Sequence, residues 1–312
     1  MKLESTMLFS RILRAGLISA LLVAPAAWAG PASAQTIEAR HAQGTTQVKL
    51  NPGKVLTFDL AALDILDALG APVSGVPKTI LPAHLAKYGQ HEKIGTLFEP
   101  NYEAVNAAAP DLIIVGDRSR VKYAELSKIA PTIDLSIDQK DYLGSAIRNI
   151  RLLGRIFGKE AEAEARIAKL EQSIADVRQA GQRAGMGLIV LTTGGKMSAY
   201  GPGSRFGLIH DAFGVAPAAE DLAVSTHGQP ISAEFILKTN PDWLFVLDRD
   251  AAVGQAGGSA KQVLDNDLVA QTTAWKKGQV VYLDPANWYL VGGGATALQA
   301  SVDQIGQALA KK

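Results

Sequence analysis

The 312 residues are 47% hydrophobic and 20% charged, with a formal net charge of +1. That balance suits a globular chain of about two domains and excludes a general electrostatic pull toward nucleic acid or an anionic membrane. Cysteine is absent, which rules out thiolate metal sites, disulfide staples and a lipid-bearing N-terminal cysteine.

In chain order, the first segment reads as an export leader. Arg11 and Arg14 supply a positive start and "AGLISALLVAPAAWA" a short apolar core. Small residues ending at Ala29 and at Ala34 offer two cleavage sites. Cleavage after Ala34 is expected, so that 1–34 is removed and the mature chain is free in the periplasm without an anchor. An uncleaved anchor is the alternative, but the apolar run is short for a membrane span and contains Pro25.

From Thr46 onward, apolar runs alternate with helical patterns. "KVLTFDL" is a predicted strand and "AALDILDALG" a helix stopped by Gly70. "EPNYEAVNAAAP" is a short helix with Pro100 near its start and Pro110 past its end. "LIIV" is a strand apolar on both faces, as in a covered parallel sheet. "KYAELSKIA" and "PTIDLS" add a helix and a strand, completing an α/β lobe over 35–143. Residues 144–185 change texture and read as helix with a break at Gly158. Their second part sets Ile167, Leu170, Ile174 and Val177 at steps of three and four, one apolar stripe on a long rod. A coiled coil is the alternative, but the rod is too short for four clean heptads. A second alternating lobe follows over 186–312: strands "GLIVLTT" and "KMSAYG", helices "RFGLIHDAFG" and "SAEFILKTN", strand "WLFVL", helix "SAKQVLDNDLVAQ", strand "QVVYL" and a closing helix. The expected fold class is α/β, two Rossmann-like lobes joined by a single long helix, with 144–185 as a strut that limits hinge motion.

A repeat supports two related lobes. "PDLIIVGDR" ends at Arg118 and "PDWLFVLDR" at Arg249, with Glu103 and Glu234 each seven positions before the proline. The shared pattern, Glu-x6-Pro-Asp-x5-Asp-Arg, recurs after 131 residues, a period too long for a solenoid. Each copy would deliver its Asp-Arg at the carboxyl end of a strand, the edge where open α/β sheets bind ligands.

Arg118 and Arg249 are therefore candidate binding residues, joined by Arg205 in the Gly-rich turn "YGPGSRFG" and by nearby Arg120. Guanidinium groups stay ionised, offer forked donors and stack on rings, which suits an anion with spread-out charge. The competing possibility is that each arginine is spent on its neighbour, Asp117 or Asp248. Of the five histidines, His210 sits in an apolar pattern and His227 in the open loop "STHGQP". "DPANWYLVGGG" brings Trp288 and Tyr289 before a glycine run. An imidazole and a phenolate could complete a hard Fe(III) centre whose other donors come from a small molecule. Neither a Gly-x-Ser-x-Gly elbow nor a P-loop nor a dinucleotide fingerprint is present. Basic residues are not interleaved with aromatics, so a nucleic-acid partner is not expected.

These motifs, together with "HGQPISAEFILKTNPDWLFVLDR", make the chain resemble the periplasmic substrate-binding proteins of ABC importers for iron-siderophore complexes, in particular the branch that binds catecholate and petrobactin-type siderophores. The resemblance runs from about Val48 to the C-terminus. It implies two lobes bridged by a long helix with the ligand in the cleft between them. It further implies that Arg118, Arg205 and Arg249, with Arg120 and Trp288, line that cleft against a ferric catecholate. His227 and Tyr289 would complete the iron sphere when the siderophore supplies only four donors. Glu103 and Glu234 would dock onto a dimeric ABC permease in the inner membrane. The expected protein is a monomeric carrier, not an enzyme, with Fe(III) bound only as cargo and no intrinsic cofactor. Rival readings are the same fold binding haem, a cobalamin or a hydroxamate siderophore, and an exported α/β enzyme.

Overall fold

The computed structural model describes residues 35–225 and 227–311; the leader expected over 1–34 lies outside them. The described chain opens with an antiparallel hairpin, β1 (Thr36–His41) and β2 (Gly44–Lys49). A first α/β lobe follows: β3 (Val55–Thr57), α1 (Leu60–Leu69), β4 (Gly75–Val76), a 3₁₀ stretch over Ala83–Gln90, β5 (Glu92–Lys93), α2 (Tyr102–Ala108), β6 (Leu112–Val115), α3 (Tyr123–Leu126) and β7 (Thr132–Asp134). Its strands are all parallel, in the order β5-β4-β3-β6-β7. The order reverses between β3 and β6, which opens a crevice at their carboxyl ends.

Two helices leave this lobe, α4 (Tyr142–Ile156) and α5 (Glu160–Gly181). The second lobe contains β8 (Met186–Thr193), β9 (Lys196–Tyr200), α6 (Leu208–Asp211), β10 (Ala216–Pro217), β11 (Gln229–Ile231), α7 (Ala233–Thr239), β12 (Trp243–Asp248) and α8 (Arg249–Val253). Three short helices then lead to β13: α9 (Ala260–Leu264), α10 (Asp267–Ala270) and α11 (Thr273–Lys276). After β13 (Val280–Tyr282), a π-helical turn over Ala286–Leu290 leads into the last helix, α12 (Ala295–Ala310). The sheet order is β11-β9-β8-β12-β13, with β10 also on β8. The central β8-β12-β13 run is parallel, and β9 and β11 are antiparallel.

Helix α5 joins the two lobes through one face. Its 22 residues span about 33 Å at 1.5 Å per residue. Ala163 and Ile167 pack in the core that holds Val55, Ile114 and Ile133 of the first sheet. Leu170, Ile174 and Val177 pack in the core that holds Ile189, Phe245 and Leu247 of the second. The expected apolar stripe is thus buried along its whole length, Ile167 in the first lobe and Leu170, Ile174 and Val177 in the second. The expected break falls at 157–159, where Gly158 takes a left-handed φ of 60°.

The closing helix departs from expectation. It is not a possession of the second lobe alone. Ala295 packs in the first-lobe core, whereas Leu298, Val302, Ile305 and Leu309 pack in the second. Its first turn is held by Asp64 of α1, a fully buried carboxylate that accepts Thr296 N at 2.7 Å and Ala297 N at 2.9 Å. Gly294 permits the approach, because a Cβ there would stand 2.7 Å from that of Asp64. Other expected helices are shorter than their patterns. "SAKQVLDNDLVAQ" forms α9 and α10, separated because Asn266 caps a new helix by accepting Leu268 N and Val269 N. "RFGLIHDAFG" is helical only over Leu208–Asp211, since Gly207 and Gly214 bound a single turn.

Candidate functional site

The repeat has a local structural reason. In both copies a polar side chain caps a seven-residue helix, Asn101 on α2 and Ser232 on α7, and both helices end on a left-handed residue, Ala109 and Asn240, at φ 45°. The aspartate after each proline then ties down the start of the neighbouring strand. Asp111 accepts Gly53 N and Lys54 N beside β3, and Asp242 accepts Met186 N at β8. Glu103 and Glu234 are each the second residue of their helix. Both Glu103 and Glu234 are exposed. The Ser232 side chain holds the Glu234 carboxyl below its usual range.

At the far end of each unit stands an arginine, and the two converge. Arg118 follows β6 beside β3, and Arg249 follows β12 beside β8. Both meet Tyr289 on the π-helical turn, as does Arg205 from the turn before α6. Arg118 donates to the Tyr289 carbonyl at 2.8 Å and to the Leu290 carbonyl at 3.4 Å. Arg205 donates to the same Tyr289 carbonyl at 2.8 Å, and Arg249 Nε donates to the Tyr289 hydroxyl at 3.1 Å. The three guanidinium carbons lie 5.6, 4.4 and 5.9 Å from the centre of the Tyr289 ring, close enough for cation–π attraction.

Most of the acceptors that hold these arginines are neutral. The neighbouring aspartates are occupied elsewhere: Asp117 accepts Ile137 N, and Asp248 accepts Ala251 N and Ala260 N. Arg249 also donates to Gln255 and Thr193, and Asp250 stands 3.5 Å from it. Positive charge is therefore concentrated and only partly offset, by Asp59 and Asp117 near Arg118 and by Asp250 near Arg249. Burial, then repulsion from Arg205, lowers the Arg118 pKa, yet a guanidinium remains ionised at any ordinary pH. Burial by itself would raise the Tyr289 phenol. Arg205, together with Arg249 and its hydrogen bond, outweighs that and holds the phenol below its usual value.

The centre opens on a cavity of about 1360 Å³ between the lobes, walled by Asp59, Arg118, Arg120, Arg205 and Tyr289 among others. That volume is above the usual small-molecule range of about 300–1,000 Å³. Arg120 is exposed and stands on the wall. Trp288 is also on the wall, but its ring is not open for stacking. It is only 6% exposed, packs in the second-lobe core and donates its indole N–H to Gln304, so it supports the wall and reaches the cavity only at an edge. The wall reaches the 218–228 segment at Val224, while His227 stands exposed three residues beyond.

Asp59 escaped the sequence reading. It caps α1 by accepting Ala62 N at 2.7 Å, and its carboxyl is pushed up to about 6, chiefly by burial, with repulsion from Asp117 added. Its position at the carboxyl end of "KVLTFDL" is the signal that singled out Arg118, and the same rule applied to that strand would have found it. Gly116 makes room for it, since a Cβ there would lie 2.3 Å from an Asp59 oxygen.

Residues 55–286 match the profile of the family described as periplasmic binding protein. The chain belongs to that family. Among relatives of this periplasmic binding protein, petrobactin-binding protein YclQ of Bacillus subtilis is 43% identical over 88% of each chain. The YclQ crystal structure superposes with a TM-score of 0.86, covering 89% of this chain and all of the other. Ferric-anguibactin-binding protein FatB of Vibrio anguillarum is 35% identical over 85% of each chain. The periplasmic catecholate-siderophore binding protein VctP of Vibrio cholerae is 33% identical, with a TM-score of 0.83 over 89% of this chain and all of that one. The two-lobed architecture read from the sequence is the one these structures share.

Proposed function

We propose that this periplasmic binding protein captures a ferric catecholate-type siderophore and delivers it to an ABC permease for iron uptake. One observation carries the reading: three guanidinium groups, held mainly by neutral acceptors, converge on one tyrosine of an inter-lobe cavity whose wall includes Arg118 and Arg205. Such a centre favours an anion. A ferric catecholate supplies both delocalised negative charge and flat rings that stack on guanidinium planes. The names of YclQ, FatB and VctP support an iron-siderophore cargo.

Capture requires no bond-making by the protein, in keeping with a family of binding proteins rather than enzymes. The arginines attract and orient the complex. For a siderophore with four donors, Tyr289 and His227 supply the remaining two positions on iron, and the arginines that favour the Tyr289 phenolate ease its loss of a proton. A six-donor siderophore leaves both unused. Glu103 and Glu234, one on each lobe, meet the two halves of the permease. The chain works as a monomer in the periplasm after loss of its leader at Ala34, without a lipid anchor.

Titration of intrinsic tryptophan fluorescence with ferric bis-catecholate, tris-catecholate and hydroxamate complexes tests the reading. The catecholates should quench at far lower concentration than the hydroxamate. Arg205→Gln with Arg249→Gln should abolish that preference, and His227→Ala or Tyr289→Phe should weaken the bis- but not the tris-catecholate. Equal affinity for a hydroxamate, or no loss in the arginine double variant, would overturn it.

A further inference from the structure

The cavity rim carries two apolar side chains that the arginine centre does not use. Phe98 is 57% exposed and Val224 is 62% exposed, and both line the same cavity. Phe98 comes from the first lobe and Val224 from the second. Neither is accounted for by folding, since large apolar groups left in water forgo the stabilisation of burial. Their mounts differ. Phe98 stands in a braced turn: Thr96 Oγ1 accepts Phe98 N and Glu99 N, Thr96 N donates to the Glu99 carbonyl, and Gly95 bridges to Pro100. Val224 lies on an irregular segment tethered by Leu222 in the second-lobe core, by Ala223 N to Gln229 and by Ser225 to the Gly228 carbonyl. The backbone is anchored on both sides of Val224, and the side chain projects.

We propose that Phe98 and Val224 are specificity residues that cover the aromatic outer face of the bound ferric complex. This rests on the catecholate reading of the site. The argument is one of polarity within the ligand. A catecholate carries its two oxygens on adjacent ring carbons, so the opposite ring edge is hydrocarbon. A complex that turns its iron and oxygens toward Arg118, Arg205 and Arg249 presents C–H edges away from them, toward the rim. A ferric complex made only of carboxylates and hydroxyls has no such edge and gains nothing from an apolar rim. The arginines thus select for charge, and the rim selects among anions for aromatic ones. Position on both lobes around one cavity favours the ligand as occupant over a flat partner surface.

Calorimetric titration of wild type, Phe98→Ser, Val224→Ser and Phe98→Leu with ferric bis-catecholate at several temperatures tests this. Both side chains are exposed, so thermal melts should be unchanged and folding is not at issue. Each serine variant is expected to bind about tenfold more weakly, with a less negative heat-capacity change, because apolar burial is lost. Phe98→Leu should stay within about twofold of wild type, since leucine keeps the apolar contact. Serine variants that match wild type in affinity and heat capacity, while Arg205→Gln weakens binding, overturn the rim and leave the functional reading standing. Serine variants that bind normally but fail to stimulate the reconstituted permease also overturn it, assigning the patch to the permease. A wild-type protein that binds no ferric catecholate overturns both.

Discussion

Removing the Asp64 carboxylate should loosen the joint between the lobes. Asp64 is fully buried on α1, and its two oxygens satisfy the backbone N–H groups of Thr296 and Ala297 at the start of α12, while His84 Nε2 lies 3.1 Å away. In Asp64→Ala the two N–H groups lose their acceptor in a buried place, at about 1–3 kcal/mol each. The α12 dipole also loses the buried anion at its start, worth up to about 2 kcal/mol. Against these stands the desolvation of the carboxylate itself, several kcal/mol that the variant no longer bears. Breaking a satisfied buried charge typically nets about 3–5 kcal/mol, and the lower end applies here because His84, 28% exposed, can turn to water. Asp64→Asn keeps an acceptor for one of the two N–H groups and should cost about half as much. Urea unfolding followed by circular dichroism measures the loss, and hydrogen exchange at Thr296 and Ala297 locates it. A loss below about 1 kcal/mol for Asp64→Ala, or unchanged exchange at those two amides, would refute the assignment of Asp64 as an inter-lobe clamp.

Three further outcomes follow from the same geometry. The hydrogen bond to Asp64 raises the His84 pKa above 6.5, so its contribution is complete below pH 6.5 and lost as pH rises through the folded value; His84→Ala should destabilise clearly at pH 5.5 and little at pH 9, and an equal loss at both would contradict the link. Asp59, pushed up to about 6 from 3.8, contributes stability that is fully present below pH 3.8 and lost as pH rises through 6. Asp59→Asn keeps the α1 cap and should melt higher than wild type at pH 7.5, by about 3 kcal/mol at most, with the advantage gone near pH 3.5; identical melts at pH 7.5 would count against it. Ala109 holds φ 45° without the tolerance of the equivalent Asn240, so Ala109→Gly should stabilise by about 0.5–1 kcal/mol, strain relief exceeding the added chain entropy; a destabilised variant in chemical denaturation would speak against strain there.

Much of the frame was legible because it is local. The stripe of Ile167, Leu170, Ile174 and Val177 predicts one buried face, and all four are buried. Runs such as "LIIV" and "WLFVL" are apolar on both faces because helices cover both. The two-residue strands β4 and β5 were not legible, since two residues show no period. The hairpin β1–β2 is not legible, because "TIEARH" and "GTTQVK" are mostly polar and place only Ala39 and Val48 in the first-lobe core, with Ile37 against it. Trp288 reads as a cleft-lining residue, but its burial depends on Gln304 and the second-lobe core.

By itself the sequence determined the lobes, the rod between them and the delivery of Arg118 and Arg249 to strand ends, because capping, periodicity and Pro-Asp punctuation act over a few residues. Only the tertiary structure decided that these arginines meet Arg205 on Tyr289, across separations of 171, 84 and 40 residues. It likewise decided that Asp64 holds a helix 232 residues away. Such meetings follow from how sheets stack and where a helix crosses, which spacing along a chain does not encode.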